Sequence, residues 1–163
     1  MIHHLSIAAR EPERVAQVFA ELMLGACIPF PPNPGAFLAV AGDRNGTAVE
    51  VYPAQTLLKP AGPAGAEFIR DDGEPALSAF HFALSVERSR ADVERIARRE
   101  GWPCFVCDRG GDFGVVEVWV EGHFLVELLP PDFAAQYLRF TGLFVDAANP
   151  AALMANHARP VAG

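Results

Sequence analysis

Two histidines and two glutamates recur in this sequence at the same spacing, and imidazole and carboxylate groups are metal ligands. His4 is followed 46 residues later by Glu50, and His81 is followed 46 residues later by Glu127. The second pair lies 77 residues after the first. Because repetition at a fixed period indicates copies of one structural unit, we expect two units that each carry one His/Glu pair.

These four side chains predict a site for one divalent metal ion per chain. Two imidazoles and two carboxylates suit a borderline ion such as Ni²⁺, Co²⁺, Fe²⁺, Mn²⁺ or Zn²⁺. Glu50 lies between Val49 and Val51, and a carboxylate buried there without a partner costs several kcal/mol. Four protein ligands close a tetrahedral ion, whereas an octahedral ion keeps two positions for substrate oxygens.

The segments around the first pair predict a strand, a helix and three strands. Residues 4–9 alternate at the strand period, and Pro12 is at a favourable first helical position. Gly25 is a plausible end for this helix, and strands are predicted at residues 26–30, 36–40 and 47–52. Asn45 and Gly46 form a strong hairpin signal between the last two strands.

The second unit repeats this βαβββ order. A strand is predicted at residues 81–86, and Ser89 with Asp92 forms a capping box for a helix that Gly101 ends. Strands follow at residues 104–107, 115–120 and 124–129. Asp132 predicts a further helix that ends at Gly142, before a tail that we expect to be a packing arm or a frayed end.

We therefore expect one domain over residues 1–163. It comprises module 1 (1–53), a connector (54–79), module 2 (80–131), and a C-terminal helix and tail (132–163). The connector is rich in Pro, Gly and Ala, has no clear periodicity, and is predicted to be a flap or a linker.

Composition excludes several classes of protein. The formal net charge of −7 argues against nucleic acid as a partner, because its binding depends on clustered Lys and Arg. The sequence has no apolar stretch long enough to cross a bilayer, and its N-terminus lacks the pattern of a signal peptide. The odd count of three cysteines argues against a disulfide framework, so we expect a cytoplasmic protein.

Tandem βαβββ units that open with a histidine and close with a glutamate resemble the vicinal oxygen chelate superfamily. This superfamily includes glyoxalase I, methylmalonyl-CoA epimerase, extradiol dioxygenases, fosfomycin-resistance enzymes and bleomycin-binding proteins. Residues 19–25 look like its Phe-Tyr-x-x-x-Leu-Gly helix end, and residues 81–86 look like the strand that opens its second module. The resemblance implies an α+β fold in which the two modules form a partly closed, mixed β-sheet barrel.

The resemblance also implies a function. The order His4, Glu50, His81, Glu127 is similar to the ligand order of bacterial glyoxalase I, which implies a metal-dependent isomerase or lyase. Its substrate would be a small molecule with vicinal oxygens, converted through an enediolate, with Glu127 as the base. An Fe²⁺-dependent dioxygenase, an epimerase, and a non-catalytic protein that sequesters a small molecule remain alternatives. The family also implies a homodimer, with sites inside one chain or spanning two.

Strand alternation adds pocket residues. His4, and not His3, shares a strand face with Ser6, and His81 likewise shares a face with Ser85. We therefore expect His4 to be the ligand and both serines to line the substrate pocket.

Glu117 and Trp119 are predicted on the same pocket wall. If the last hairpin loop is residues 121–123, Trp119 lies opposite Leu125, and Glu117 lies opposite Glu127. Glu117 is then next to the proposed base and is expected to assist proton transfer.

Overall fold

The structure is a computed structural model that describes residues 2–60, 66–71, 73, 77 and 79–145, with side chains as far as residue 142. Module 1 has the predicted order: β1 (His4–Ala9), α1 (Pro12–Leu22), β2 (Ala26–Pro29), β3 (Phe37–Val40) and β4 (Ala48–Pro53). The connector contains β5 (Thr56–Pro60) and β6 (Ala66–Arg70). Module 2 repeats the first order: β7 (Phe82–Ser85), α2 (Arg90–Glu100), β8 (Cys104–Asp108), β9 (Gly114–Val120) and β10 (Phe124–Leu129), followed by α3 (Pro131–Val145).

The described strands of the two modules form two four-stranded sheets with the same topology. The strand order is β1-β4-β3-β2 in the first sheet and β7-β10-β9-β8 in the second. In each sheet the first strand pairs in parallel with the last, and the other pairings are antiparallel. The α+β class and the tandem βαβββ modules are thus confirmed. The described strands of one chain remain two separate sheets, so the partly closed barrel stays a prediction.

Local chemistry accounts for both ends of helix α2 and for the turn that follows helix α1. The Ser89 side chain accepts a hydrogen bond from the Asp92 amide and caps α2, as predicted, and Gly101 ends this helix in a left-handed conformation. Helix α1 ends at Leu22, slightly before Gly25. A Cβ atom on Gly25 would lie 1.8 Å from the Val40 carbonyl oxygen, so glycine is required there because β3 approaches the chain closely.

The connector and the C-terminal helix differ from the sequence-based prediction. Strands β5 and β6 form an antiparallel hairpin in the segment predicted to be a flap or a linker, where no periodicity in the sequence indicated strands. The hairpin packs on module 1, where the rings of Phe68 and Tyr52 meet edge to face with centroids 5.4 Å apart. Helix α3 continues past Gly142 to Val145, so the predicted end at Gly142 is wrong. The predicted tail after residue 145 lies outside the described residues.

One buried core joins the two modules. Both helices contribute to it, together with the helix-side residues of both sheets; its members include Ile7, Phe19, Val51, Ile96, Val118 and Leu128. Across the module boundary, the rings of Phe19 and Phe82 stack with centroids 6.1 Å apart. Burial of this apolar surface stabilises the packing of one module on the other, since each buried large side chain contributes about 1.5–3 kcal/mol.

A carboxylate from module 2 supports the start of α1. Glu11, at the N-cap position of α1, makes no capping hydrogen bond with its own side chain. Instead, the Glu121 carboxylate accepts hydrogen bonds from the backbone amides of Arg10 at 2.7 Å and Glu11 at 2.9 Å. A negative charge at a helix N-terminus is favourable, so the β9–β10 turn contributes to the orientation of α1.

Ion pairs between α1 and α2 complete the module interface. The buried Glu100 carboxylate accepts two hydrogen bonds from Arg14, at 2.7 and 2.6 Å, and one from Arg99 at 2.5 Å. Arg99 also binds Glu21 at 2.7 Å.

None of the helices in the described part of the chain is long and apolar enough to cross a membrane.

We predict that Glu100→Gln lowers the free energy of unfolding at neutral pH and makes this free energy fall less as the pH is lowered. Burial alone would raise the pKa of Glu100, but hydrogen bonds from Arg14 and Arg99 outweigh it and lower the pKa below the ordinary 4.5. The stability that this carboxylate contributes is therefore complete above pH 4.5 and is lost as pH falls through the lowered pKa.

Urea unfolding at a series of pH values measures the effect. At neutral pH Glu100→Gln should lose about 1–3 kcal/mol of unfolding free energy, and below pH 4.5 the difference from wild type should shrink. Glu94→Gln is the matched control, because Glu94 makes a surface pair with Arg90 at 3.7 Å, and such pairs contribute about 0–1 kcal/mol. An unchanged acid response in Glu100→Gln would contradict the prediction.

Candidate functional site

The predicted ligands lie on the sheet faces that point away from the shared core, here called the open faces. At the level of Glu50, the residues that face one another across the first sheet are Ser6, Glu50, Leu38 and Ile28. The matching row of the second sheet is Ala83, Glu127, Glu117 and Phe105. The repeat in the sequence is therefore also a repeat in the structure. Each glutamate lies on a strand that pairs with an edge strand. His4 begins the edge strand β1, and His81 directly precedes the edge strand β7.

The first pair is brought together by β1 and β4. Nε2 of His4 lies 4.0 Å from Oε1 of Glu50; the His4 side chain is 60% exposed and the Glu50 side chain 13%. Glu50 Oε2 accepts a hydrogen bond from the Ser6 hydroxyl at 2.7 Å and another from the Tyr52 hydroxyl. His3 Nδ1 instead donates to the Asn45 carbonyl oxygen at 2.6 Å. His4 is thus the histidine next to Glu50, while its role as a ligand stays a prediction.

Tyr52 is a site residue that sequence analysis treated only as the end of a strand. Its ring is buried against Phe30 and Phe68, with centroids 5.9 and 5.4 Å away. Burial, followed by the hydrogen bond to Glu50, raises the pKa of Tyr52, so its hydroxyl stays a neutral donor. Its position two residues after Glu50, on the same strand face, was the available signal.

The β9–β10 register predicted from the sequence is confirmed. Trp119 lies opposite Leu125, and Glu117 lies opposite Glu127. The side chains of Glu117 and Glu127 are 19% and 15% exposed, so both carboxylates are half-buried. Two carboxylates directly opposite each other on neighbouring strands repel, and the fold needs a cation to hold them together.

Arg109 is that cation, and sequence analysis missed it. It follows β8, and its Nη2 donates to Oε1 of Glu117 at 2.7 Å and to Oε1 of Glu127 at 2.5 Å. These hydrogen bonds, first with Glu117 and then with Glu127, raise the pKa of Arg109. The local Arg-Gly-Gly sequence predicts a turn, but it does not indicate which carboxylates a long side chain will reach. The role of Glu117 in proton transfer stays a prediction. Its contact with Arg109 was not predicted from the sequence.

The other predicted site residues of module 2 are His81, Ser85 and Trp119, and the first two are exposed. His81 precedes β7, and its Nδ1 donates to the Ala79 carbonyl oxygen at 3.0 Å. Ser85 is exposed and lies opposite Leu129 at the end of β7. Trp119 is half-buried on the open face. The roles of these residues as ligand or pocket wall stay predictions.

Within one chain the described residues do not bring the two predicted His/Glu pairs, each called a half-site here, together in one group. Among the described residues, no group of three or more His, Cys, Asp or Glu side chains is placed to hold a metal ion. Three cavities lined by described residues, of about 160, 280 and 440 Å³, contain none of the four predicted ligands. The donor set nevertheless fits a divalent ion in its chemistry, since the four residues offer two imidazoles and two carboxylates.

We predict that Tyr52→Phe destabilises the protein by about 1 kcal/mol, because it removes one net hydrogen bond to Glu50 and keeps the ring packing. Urea unfolding measures the change. Tyr137→Phe is the matched control, because the Tyr137 ring keeps its edge contact with Phe113. If the two variants lose equal stability, the hydroxyl of Tyr52 has no special role in holding Glu50.

Comparison with known proteins adds evidence from structure and none from sequence. No protein-family model matches the chain, and no curated protein matches it significantly.

Several solved structures match over most of the chain. A fosfomycin resistance protein, FosX, from Listeria monocytogenes, solved in complex with Mn(II) and sulfate, has a TM-score of 0.53 and 9% identity, with 86% of this chain and 96% of that chain covered. The trypanothione-dependent glyoxalase I from Leishmania major has a TM-score of 0.50 and 18% identity, with 91% and 99% covered. A putative glyoxalase family protein from Bacillus anthracis has a TM-score of 0.50 and 16% identity, with 78% and 92% covered. At such identities the likeness establishes the fold alone: this chain has the fold of the vicinal oxygen chelate superfamily.

Proposed function

We propose that this protein is a metal-dependent enzyme of the glyoxalase type, an isomerase or lyase that acts on a small molecule with vicinal oxygens. It works as a homodimer in which His4 and Glu50 of one protomer meet His81 and Glu127 of the partner subunit. One divalent ion per chain, from the series Ni²⁺, Co²⁺, Fe²⁺, Mn²⁺ and Zn²⁺, is the cofactor.

The observation that carries this proposal is the pair of matched half-sites. Glu50 and Glu127 occupy the same position in two sheets of the same topology, yet in one chain the described residues do not gather three ligands. Each half-site offers two donors, so two half-sites give the four that the sequence repeat predicts.

The edge strands indicate how the halves meet. Strand β1 is an edge of the first sheet and β7 an edge of the second, and exposed sheet edges are ready surfaces for pairing with another chain. If β1 of one protomer lies beside β7 of its partner, the two open faces become the walls of one cleft. The partly closed barrel expected from the sequence would then form between protomers.

The residues of the open faces have distinct roles in this proposal. A bound ion would supply Lewis acidity to two substrate oxygens. Glu127 removes the proton next to the carbonyl, and Ser6 and Tyr52 hold the Glu50 carboxylate in place by hydrogen bonds. Trp119 and Phe105 offer apolar surface next to Glu117 on the open face of module 2.

A second candidate is a non-catalytic protein that sequesters a small molecule. The exposed ring of Phe105, opposite Glu117 on the open face, favours it, because an apolar wall binds a ligand without chemistry. An Fe²⁺-dependent dioxygenase or an epimerase would use the same four ligands and is separated by the identity of the metal and by the product.

We predict about one divalent ion per chain in protein grown with added metal and purified without chelators. Elemental analysis should find most of this metal lost in the Glu50→Gln/Glu127→Gln variant and in His4→Ala, because each change removes a donor. His3→Ala is the control and should keep its metal, since His3 binds Asn45. Equal metal content in wild type and the double glutamine variant would refute the proposal.

A mixing experiment tests whether the site spans two chains. One variant, His4→Ala/Glu50→Gln, lacks the first half-site, and the other, His81→Ala/Glu127→Gln, lacks the second. Each alone should bind little metal. A co-expressed heterodimer of the two should regain about half of the wild-type metal content, because one of its two shared sites has both halves intact. Sites confined to single chains predict no recovery.

A further inference from the structure

The Glu127 carboxylate is already paired with a positively charged side chain of its own chain. Arg109 donates to Oε1 of Glu127 and to Oε1 of Glu117 through the same nitrogen. Its side chain is 35% exposed, so the guanidinium is held at the surface of the open face and is not locked in the core. A partly exposed side chain at the end of a strand can move without repacking the core.

Among the described residues, no lysine or arginine contacts Glu50, and its neighbour His4, with Nε2 4.0 Å from Oε1, is a cation only when it is protonated. Glu50 is held by two neutral hydroxyls, from Ser6 and Tyr52, and Leu38 occupies the position that matches Glu117. The two predicted glutamate ligands therefore have different partners in this structure, neutral donors for Glu50 and a cation for Glu127. Glu50 keeps its charge available to an ion, whereas the charge of Glu127 is already matched.

A divalent ion and a guanidinium compete for one carboxylate. Both are cations, and two cations within a few ångströms of the same partly buried oxygen repel strongly. We infer that Arg109 acts as an internal cation that occupies the Glu127 half-site in the metal-free protein and is displaced towards Glu117 when a divalent ion binds. This inference rests on the proposed function. Arg109 thereby sets the affinity of the site for metal, and Glu117 keeps the displaced guanidinium nearby and out of the solvent.

The opposite role for Arg109 makes the opposite prediction. If the guanidinium only orients Glu127 for the metal, its removal leaves two repelling carboxylates in poor positions, and the affinity for metal falls. If it competes with the metal, its removal raises the affinity.

Calorimetric titration of the full-length, metal-free protein with Mn²⁺ alone, at fixed salt and pH, separates the two roles. We expect Arg109→Gln to bind Mn²⁺ roughly tenfold or more tightly than wild type, because one charge-assisted competitor is removed. Arg109→Lys keeps a cation and should lie closer to wild type. Arg95→Gln is the matched control, since it removes one positive charge from an exposed pair with Asp92 on α2.

A second variant keeps the test decisive if Arg109→Gln folds poorly. Arg109→Gln/Glu117→Gln removes the competitor together with the carboxylate that would otherwise repel Glu127, and it too should bind Mn²⁺ more tightly than wild type. Equal or weaker binding by the variants, with metal bound by wild type, overturns the inference and leaves the proposed function standing. Binding by the variants alone supports the inference, and binding by none of the proteins refutes both.

Discussion

The shared hydrophobic core decides where chemistry can occur in this protein. Val51 and Leu128 are buried with both helices, and because strand side chains alternate between faces, the preceding residues Glu50 and Glu127 must point away from that core. A register slip of one residue would exchange the two sets and bury both carboxylates at several kcal/mol each. The open faces therefore exist because apolar burial fixes the register, whether or not an ion is bound.

The two modules keep the same backbone positions and differ in the chemistry placed on them. Ser6 and Tyr52 bind Glu50, and the residues 77 positions later are Ala83 and Leu129, which have no side-chain donor. Two hydroxyl groups donate to Oε2 of Glu50 without neutralising its charge, whereas the guanidinium that donates to Oε1 of Glu127 also balances its charge. The two modules therefore hold equivalent glutamates by different side chains, which argues against reading either as a degenerate copy of the other.

Local patterns predicted most of the fold, and non-local contacts account for what they missed. The Glu117–Glu127 register followed from strand alternation and a three-residue turn, both of which are readable from the sequence. The connector hairpin depends on tertiary packing, such as the contact of its Phe68 with Tyr52, and its sequence has no clear alternation. Whether the predicted ligands of the two modules meet in one chain depends on how the modules pack. A sequence repeat identifies equivalent positions in the two modules, but it does not give the distance between those positions. Arg109 was missed because its partners are 8 and 18 residues away.

Arg109 also bears on what the assembled site would do to a substrate. In the site that we propose, Glu50, Glu117 and Glu127 with Arg109 bring three negative charges and one positive charge, and a divalent ion balances the remainder. When Glu127 takes up the proton next to the carbonyl, its own charge is neutralised, so the remaining groups and the ion would carry one net positive charge, which interacts favourably with the negative charge that develops on the substrate. Without Arg109 the same groups and ion would be neutral at that point and would stabilise the developing charge less. In the proposed site the same guanidinium would weaken metal binding and favour proton removal, so its contact with a predicted ligand is compatible with the proposed function.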